Sequence, residues 1–226
     1  MKISILDTET TGLDTKTGKV IEVCIANFCT ELNDVIDIRS WLLKSATDEE
    51  VKNTQRIHGI SPEMIAGFGR DPSLVFEEVD SFVVNSSVVI AHNADFDRQW
   101  FNGKIKNMPW VCSLQDFVWP SHSESKSLTA LCLAHGVGVV SAHRAAEDVM
   151  SLARLLKRVK EYGQSLPDII ANGMRPKKMV AAIVSYDDRN LAKENGFKWD
   201  GELRAWKRKM PIDDIPKLPF RTRDLV

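Results

Sequence analysis

Two near-continuous β-branched runs near the N-terminus, Ile3-Ser4-Ile5-Leu6 and Val20-Ile21-Glu22-Val23-Cys24-Ile25-Ala26, limit the folds open to this chain. Such runs suit strands buried on both faces, because the polar/apolar alternation disappears when neither face meets water. Gly12, Asp14 and Gly18 separate them as turn residues. The run Val35 to Leu43 alternates and reads as a more exposed third strand, so residues 1–43 form a three-stranded meander. Helical signals follow. Asp71 or Ser73 caps a helix carrying Leu74, Val75, Val79, Phe82 and Val83. Val88 to Ala91 and Val111 to Ser113 read as short buried strands, with a helix starting after the first. Helices are predicted near 126–135 and over 145–161, the latter with a stripe at Val149, Leu152, Ala153, Leu156 and Val159. Strands first and helix–strand alternation afterwards imply an α/β fold with a mixed sheet flanked by helices on both faces.

That body occupies residues 1–162. Residues 163–178, with Gly163, Pro167, Gly173 and Pro176, read as a linker whose one apolar turn, Ile169-Ile170-Ala171, docks on the body. Residues 179–226 form a small C-terminal α+β module: a strand from Val180 to Val184, a helix from Asp187 to Glu194 and a hairpin turning at Asp200-Gly201. Charge divides along the same line. Residues 1–174 hold 17 Lys and Arg against 23 Asp and Glu, whereas residues 175–226 hold 13 against 8. A basic module beside an acidic body fits a polyanion partner for the one and cations for the other.

At 226 residues and 43% hydrophobic content the chain is long enough for a full core. No apolar h-region and no stretch of about 18 apolar residues is present, so no membrane partner and a cytoplasmic location are expected. Cys24, Cys29, Cys112 and Cys132 lie in apolar segments without a C-x-x-C pair, which argues for reduced cysteines rather than disulfides or structural zinc.

Three short acidic segments carry the chemistry. Asp7 and Glu9 are two apart at a strand end, and the period of two puts both on one face. Carboxylates so placed repel unless a cation lies between them, although acids at a strand end are also commonly just solvated. Asp97, in the segment His92-Asn93-Ala94-Asp95-Phe96-Asp97, lies about one helical turn past a buried strand and points over the carboxyl end of the sheet. It reads alternatively as a surface acid paired with Arg98. Asn93 sits where a helix cap belongs. His143 and Asp148 are five apart, roughly 140° around a helix, so they cannot share a helix face. The spacing works if His143 lies on the loop and Asp148 on the first turn of the following helix.

Together these segments resemble the three motifs of the DEDDh family of 3′→5′ exonucleases, in the family's order and approximate spacing over residues 1–160. Asp7 and Glu9 match the first motif, Asp97 the second, and His143 with Asp148 the third. Ile57-His58-Gly59-Ile60 also resembles the stretch between the first two motifs, and the short interval from Asp97 to Cys112 is similar to that of exonuclease X. The resemblance implies a ribonuclease H-like fold with a five-stranded mixed sheet. It also implies two Mg²⁺ (or Mn²⁺) ions held by Asp7, Glu9, Asp97 and Asp148, with His143 as general base. The reaction implied is hydrolysis of DNA from 3′ ends to nucleoside 5′-monophosphates. An exoribonuclease shares the same active-site set, and a non-catalytic end-binding protein would have lost one of these five residues. Thr11, Leu13 and His58 would line the terminal-nucleotide pocket, with Thr10 and Asn93 beside it. Thr11 and Leu13 read equally as a packed turn, and His58 as a core-edge histidine. In the C-terminal module Phe197, Trp199 and Trp206 with Lys198, Arg204, Lys207, Arg208 and Lys209 offer a single-strand surface, unless the aromatics are the core that so small a module needs.

Overall fold

The computed structural model describes residues 1–119, 125–140 and 143–225, which form two compact units, Met1–Met174 and Arg175–Val226. The first unit begins with strands β1 (Lys2–Thr10), β2 (Val20–Cys29) and β3 (Asp34–Leu42). Then come helices α1 (Asp48–His58), α2 (Pro62–Phe68) and α3 (Pro72–Phe82), strand β4 (Val89–Ala91), helices α4 (Ala94–Arg98) and α5 (Gly103–Asn107), and strand β5 (Trp110–Cys112). Helices α6 (Leu128–Ala134), α7 (Ala145–Arg158) and α8 (Leu166–Gly173) complete it.

The sheet order is β3-β2-β1-β4-β5. β1 is antiparallel to β2 and parallel to β4, so the expected five-stranded mixed sheet is present. The two apolar runs earn their lack of alternation: β1 and β2 are covered on both faces. Ile3, Ile5, Cys24, Ala26 and Phe28 face the stripe Val149, Leu152, Ala153 and Leu156 of α7 together with Leu166 and Ile170 of α8. Leu6, Val23, Ile25 and Val89 face Val75 and Val79 of α3 with Phe101 and Ile105. Each fully buried large aliphatic side chain contributes roughly 1.5–3 kcal/mol, so α7 is anchored by its stripe. The segment read as a linker holds α8, whose Ile170 is wholly buried against the sheet. Asp71 rather than Ser73 caps α3, accepting from Ser73 N at 2.8 Å and Leu74 N at 3.3 Å.

The cysteines are free, Cys24, Cys112 and Cys132 buried and Cys29 at the end of β2 half-buried. Among the described residues no helix is long and apolar enough to cross a membrane.

The second unit comprises β6 (Lys177–Ile183), α9 (Arg189–Glu194), β7 (Lys198–Asp200), β8 (Ala205–Pro211) and β9 (Arg221–Asp224), in a four-stranded antiparallel sheet ordered β7-β8-β6-β9. Asp200 Oδ1 accepts from Glu202 N and Leu203 N at 3.0 and 2.9 Å, which closes the hairpin. Phe197 is buried with Val180, Ala192 and Met210, and Trp206 packs against them, so these two aromatics are core. Trp199 is 55% exposed and meets Trp206 edge to face. Arg208 donates to Asn195 O at 2.6 Å, just past the C-terminus of α9, a structural use for a cation first read as a binding residue.

Candidate active site

Along β1 the residues Ile3 and Ile5 face α7, and the period of two continues that face into Asp7 and Glu9. Apolar positions anchor the strand, and the next two positions of the same face deliver carboxylates to its carboxyl end. Asp148 lies in the first turns of α7, over that face. Asp7, Glu9 and Asp148 each present one carboxylate oxygen such that all three lie within 4.8 Å of one another. Asp97 comes from α4, which follows β4 at the same end of the sheet. Thr8, between the two acids of β1 and facing the other way, donates its hydroxyl to Asp97 Oδ1 at 2.9 Å. Thr8 and Asp97 are 6% and 2% exposed, so this buried bond ties Asp97 to β1, while its carboxylate stays outside the group of three that meets within 4.8 Å.

The electrostatics are those of crowded, unneutralised acids. Glu9 is pushed up to about 8, first by burial and then by the charges of Asp148, Glu22 and Asp97, with Arg144 acting against them. Burial, moderated by the Thr8 hydrogen bond, raises Asp97 to about 7. Asp7 is raised well above the usual carboxylate range by burial and by Asp97, Asp148, Glu9 and Glu22. Asp148 is raised by burial, against the lowering influence of the His143 backbone amide.

A group whose folded-state pKa is raised stabilises the fold fully below its unfolded pKa and loses that contribution as pH climbs through the folded value. For Glu9 this window runs from about 4.5 to about 8. Glu9→Gln is therefore expected to raise the melting temperature of the metal-free protein by several degrees more at pH 8 than at pH 5. Differential scanning calorimetry at the two pH values in chelator checks this; an equal shift at both would refute the crowding.

His143 sits on the loop before α7 with φ 64°, is exposed, and donates its backbone amide to Asp148 Oδ2 at 3.3 Å. It therefore lies off the helix that carries Asp148. Thr10 donates its hydroxyl to Gly12 O at 2.7 Å, and Thr11 Oγ1 accepts from Lys19 N at 3.0 Å. The turn they build is tight enough that a Cβ on Gly18 would come within 3.2 Å of Gly12 Cα. Leu13 on that turn is 83% exposed. His58 ends α1 almost fully buried; its Nδ1 accepts from Ile60 N at 3.0 Å and its Nε2 lies 2.9 Å from Thr54 Oγ1. Asn93 occupies the N-cap position of α4, yet its side chain makes no capping hydrogen bond. The cap expected there is a correction: with φ 75° and ψ 48° its backbone is left-handed rather than in the extended region that a capping side chain needs.

One residue escaped the sequence reading. Glu22 pairs directly across from Glu9 in the β1–β2 register and therefore shares its face. It is 2% exposed, and its carboxylate accepts from Arg144 Nη2 at 2.8 Å, Arg144 Nε at 3.1 Å and Ala145 N at 3.0 Å. Arg144 supplies no side-chain cap to α7, so a carboxylate from β2 satisfies that helix's first amide instead. The signal for it was an isolated acid inside an otherwise apolar strand. A double-mutant cycle of Glu22→Gln and Arg144→Gln, read by urea unfolding, is expected to give a coupling of about 1–3 kcal/mol; additivity would show that the bidentate pair is idle.

The all-oxygen donor set suits hard divalent cations such as Mg²⁺ or Mn²⁺, and the raised carboxyl pKa values mark negative charge that a cation would relieve. The mixed sheet ordered β3-β2-β1-β4-β5, with acids gathered at the carboxyl end of β1, is the ribonuclease H-like layout that the sequence led us to expect. Residues 4–156 match a family model described as exonuclease, RNase T. The chain belongs to this exonuclease family. Residues 178–225 match a model described as a domain of unknown function, DUF8626. A DNA polymerase III PolC-type protein of Thermotoga petrophila is 30% identical over 165 residues, which is 70% of this chain and 12% of that protein, so the chain spans a small part of its relative. Exonuclease X in complex with 5′ overhanging duplex DNA is 25% identical with a TM-score of 0.56, covering 74% of this chain and 99% of the other. The nuclease domain of 3′hExo, described as a DEDDh family member bound to rAMP, is 13% identical with a TM-score of 0.58 over 73% of this chain and 94% of that one; it speaks for the fold alone.

Proposed function

We propose that the chain is a metal-dependent 3′→5′ exonuclease that hydrolyses DNA from 3′ ends and releases nucleoside 5′-monophosphates. The observation that carries this reading is the convergence of Asp7, Glu9 and Asp148 within 4.8 Å, with Asp97 held alongside by Thr8. Family membership and the likeness to a DNA-bound exonuclease support it. Asp7, Glu9, Asp97 and Asp148 are the residues to hold two Mg²⁺ or Mn²⁺ ions, which when bound supply water activation and neutralise charge on the phosphate and leaving oxygen. His143, exposed at the rim, takes the proton of the attacking water as general base. The water oxygen bonds to phosphorus, the bond from phosphorus to the 3′ oxygen of the preceding nucleotide breaks, and that oxygen takes a proton from solvent to become the new 3′ hydroxyl, while His143 returns its proton to solvent. The Thr10–Thr11 turn presents Leu13 as an apolar surface for the terminal base. His58, with both ring nitrogens occupied, serves as a wall of that pocket, and Asn93 borders it at the start of α4.

The test is incubation with Mg²⁺ and matched 3′- and 5′-labelled DNA and RNA, single- and double-stranded. Mononucleotide release from the 3′ label of DNA, with a ladder from the 5′ label, is expected. Preferential shortening of RNA would replace the substrate, and no release from any strand would overturn the assignment.

A further inference from the structure

The sheet of the C-terminal module has one face in its core; the opposite, open face carries exposed side chains around a central Ala181 that they leave fully buried. Directly paired residues share a face, which sorts the strands. Val180, Met210 and Trp206 lie on the side of Phe197 and Ala192, and the rest of the apolar cluster, Ile215, Leu218 and Phe220, gathers with them. The other face carries a row that crosses all four strands: Lys198 opposite Lys207, Lys207 opposite Ala181, and Ala181 opposite Arg223. Neighbouring strands are about 4.8 Å apart, so the row is roughly 14 Å wide. Flanking it, Arg221 pairs with Ile183 and Lys209 with Met179. Lys198, Lys209, Arg221 and Arg223 are exposed, as are Ile183 at 54% and Met179 at 36%. The one acid among these positions is Asp200, and it is matched by an ion pair with Lys207.

This distribution differs from a solvated strand face, where both signs alternate. It combines surplus positive charge with apolar side chains between the cations, which matches a ligand with phosphates along one side and unstacked bases along the other. A folded acidic protein would meet the charge but gain little from Met179 and Ile183, and a membrane surface would need a broader apolar insertion. We infer that the open face of the β7-β8-β6-β9 sheet binds single-stranded nucleic acid, through Lys198, Arg221 and Arg223 on phosphates and Met179 and Ile183 on bases. The choice of polyanion rests on the exonuclease reading above. The aromatics named in the sequence drop out of this surface, since Phe197 and Trp206 are core, and Arg208 turns to the helix end.

The experiment uses the full chain in EDTA, so that no turnover occurs, with a labelled oligothymidylate of about 30 nucleotides, longer than the site of one small binding fold. Fluorescence anisotropy is followed against salt. Lys198→Gln/Arg221→Gln/Arg223→Gln is expected to weaken binding at low salt by about tenfold or more and to lower the slope of log affinity against log salt by about 2. Lys198→Arg/Arg221→Lys/Arg223→Lys, which keeps the charge, should bind like the parent, and both variants should cleave a dinucleotide at the parental rate. Unchanged affinity and slope in the Gln variant would overturn the inference, as would equal loss in the charge-keeping variant, which signals a structural role. Retained strand affinity with lost binding to phosphatidylserine vesicles would assign the face to a different polyanion and overturn it too. Because binding is read without metal, a chain that releases no mononucleotides sinks the exonuclease reading without touching this result.

Discussion

Asp7→Asn is expected to abolish nucleotide release, by at least about a thousandfold or roughly 4 kcal/mol in the barrier, while making the metal-free protein more stable. The two effects have one cause. Asp7 is surrounded by Asp97, Asp148, Glu9 and Glu22, and burial and these charges together drive its carboxyl far up. A neutral, nearly isosteric amide removes that repulsion, and with it one of the carboxylates proposed to hold the cations. Initial rates on a 3′-labelled strand, with melting temperatures in chelator at pH 8, check both halves. Normal turnover would remove Asp7 from the metal assignment; a lower melting temperature would show that the repulsion is already relieved within the protein.

His143→Ala should slow hydrolysis by about 10²–10⁴, the range for losing a positioned general base, with divalent-cation affinity little changed. The separation follows from geometry: the carboxylates lie on β1, α4 and α7, whereas His143 lies on the preceding loop and contacts the cluster through its backbone amide to Asp148. Alanine retains that amide. Mn²⁺ titration alongside single-turnover rates separates the two roles. A comparable loss of metal affinity would make His143 a determinant of the site's shape instead of its base. The left-handed backbone at this position, φ 64°, adds a control: His143→Gly relieves any conformational strain and should be as slow as the alanine variant.

What could be read from the chain depended on how much burial each element left in its own sequence. β1 and β2, covered on both faces, show unbroken apolar runs, and α7 shows its stripe, so all three were legible. α1 was not, because of its eleven residues only Val51 and His58 are buried and no apolar period forms. In sequence α8 looks like a docked turn in a linker because glycines and prolines flank it, although its Leu166 and Ile170 are core. β9 is four polar residues, Arg221 to Asp224, and owes its existence to pairing with β6. The Asn93 cap failed for a related reason: sequence identifies a capping residue type, but the backbone conformation that lets it cap is set by the chain path from β4 into α4.

By itself the sequence determined that Asp7 and Glu9 share a face and that His143 and Asp148 cannot lie on one helix face, because strand period and helix pitch are covalent and steric properties of a few consecutive residues. It also carried the family, through five residues in order. Only the tertiary structure decided that Asp148 joins the β1 pair while Asp97 is tied to β1 by a hydrogen bond from Thr8, that Glu22 holds the start of α7 through Arg144, and that the cations of β7, β8 and β9 share one open face. Apart from the local β7–β8 pair, those contacts join residues tens to more than a hundred positions apart, and their partners are selected by strand order and by which helix covers which face of the sheet, quantities that no local stretch of sequence encodes.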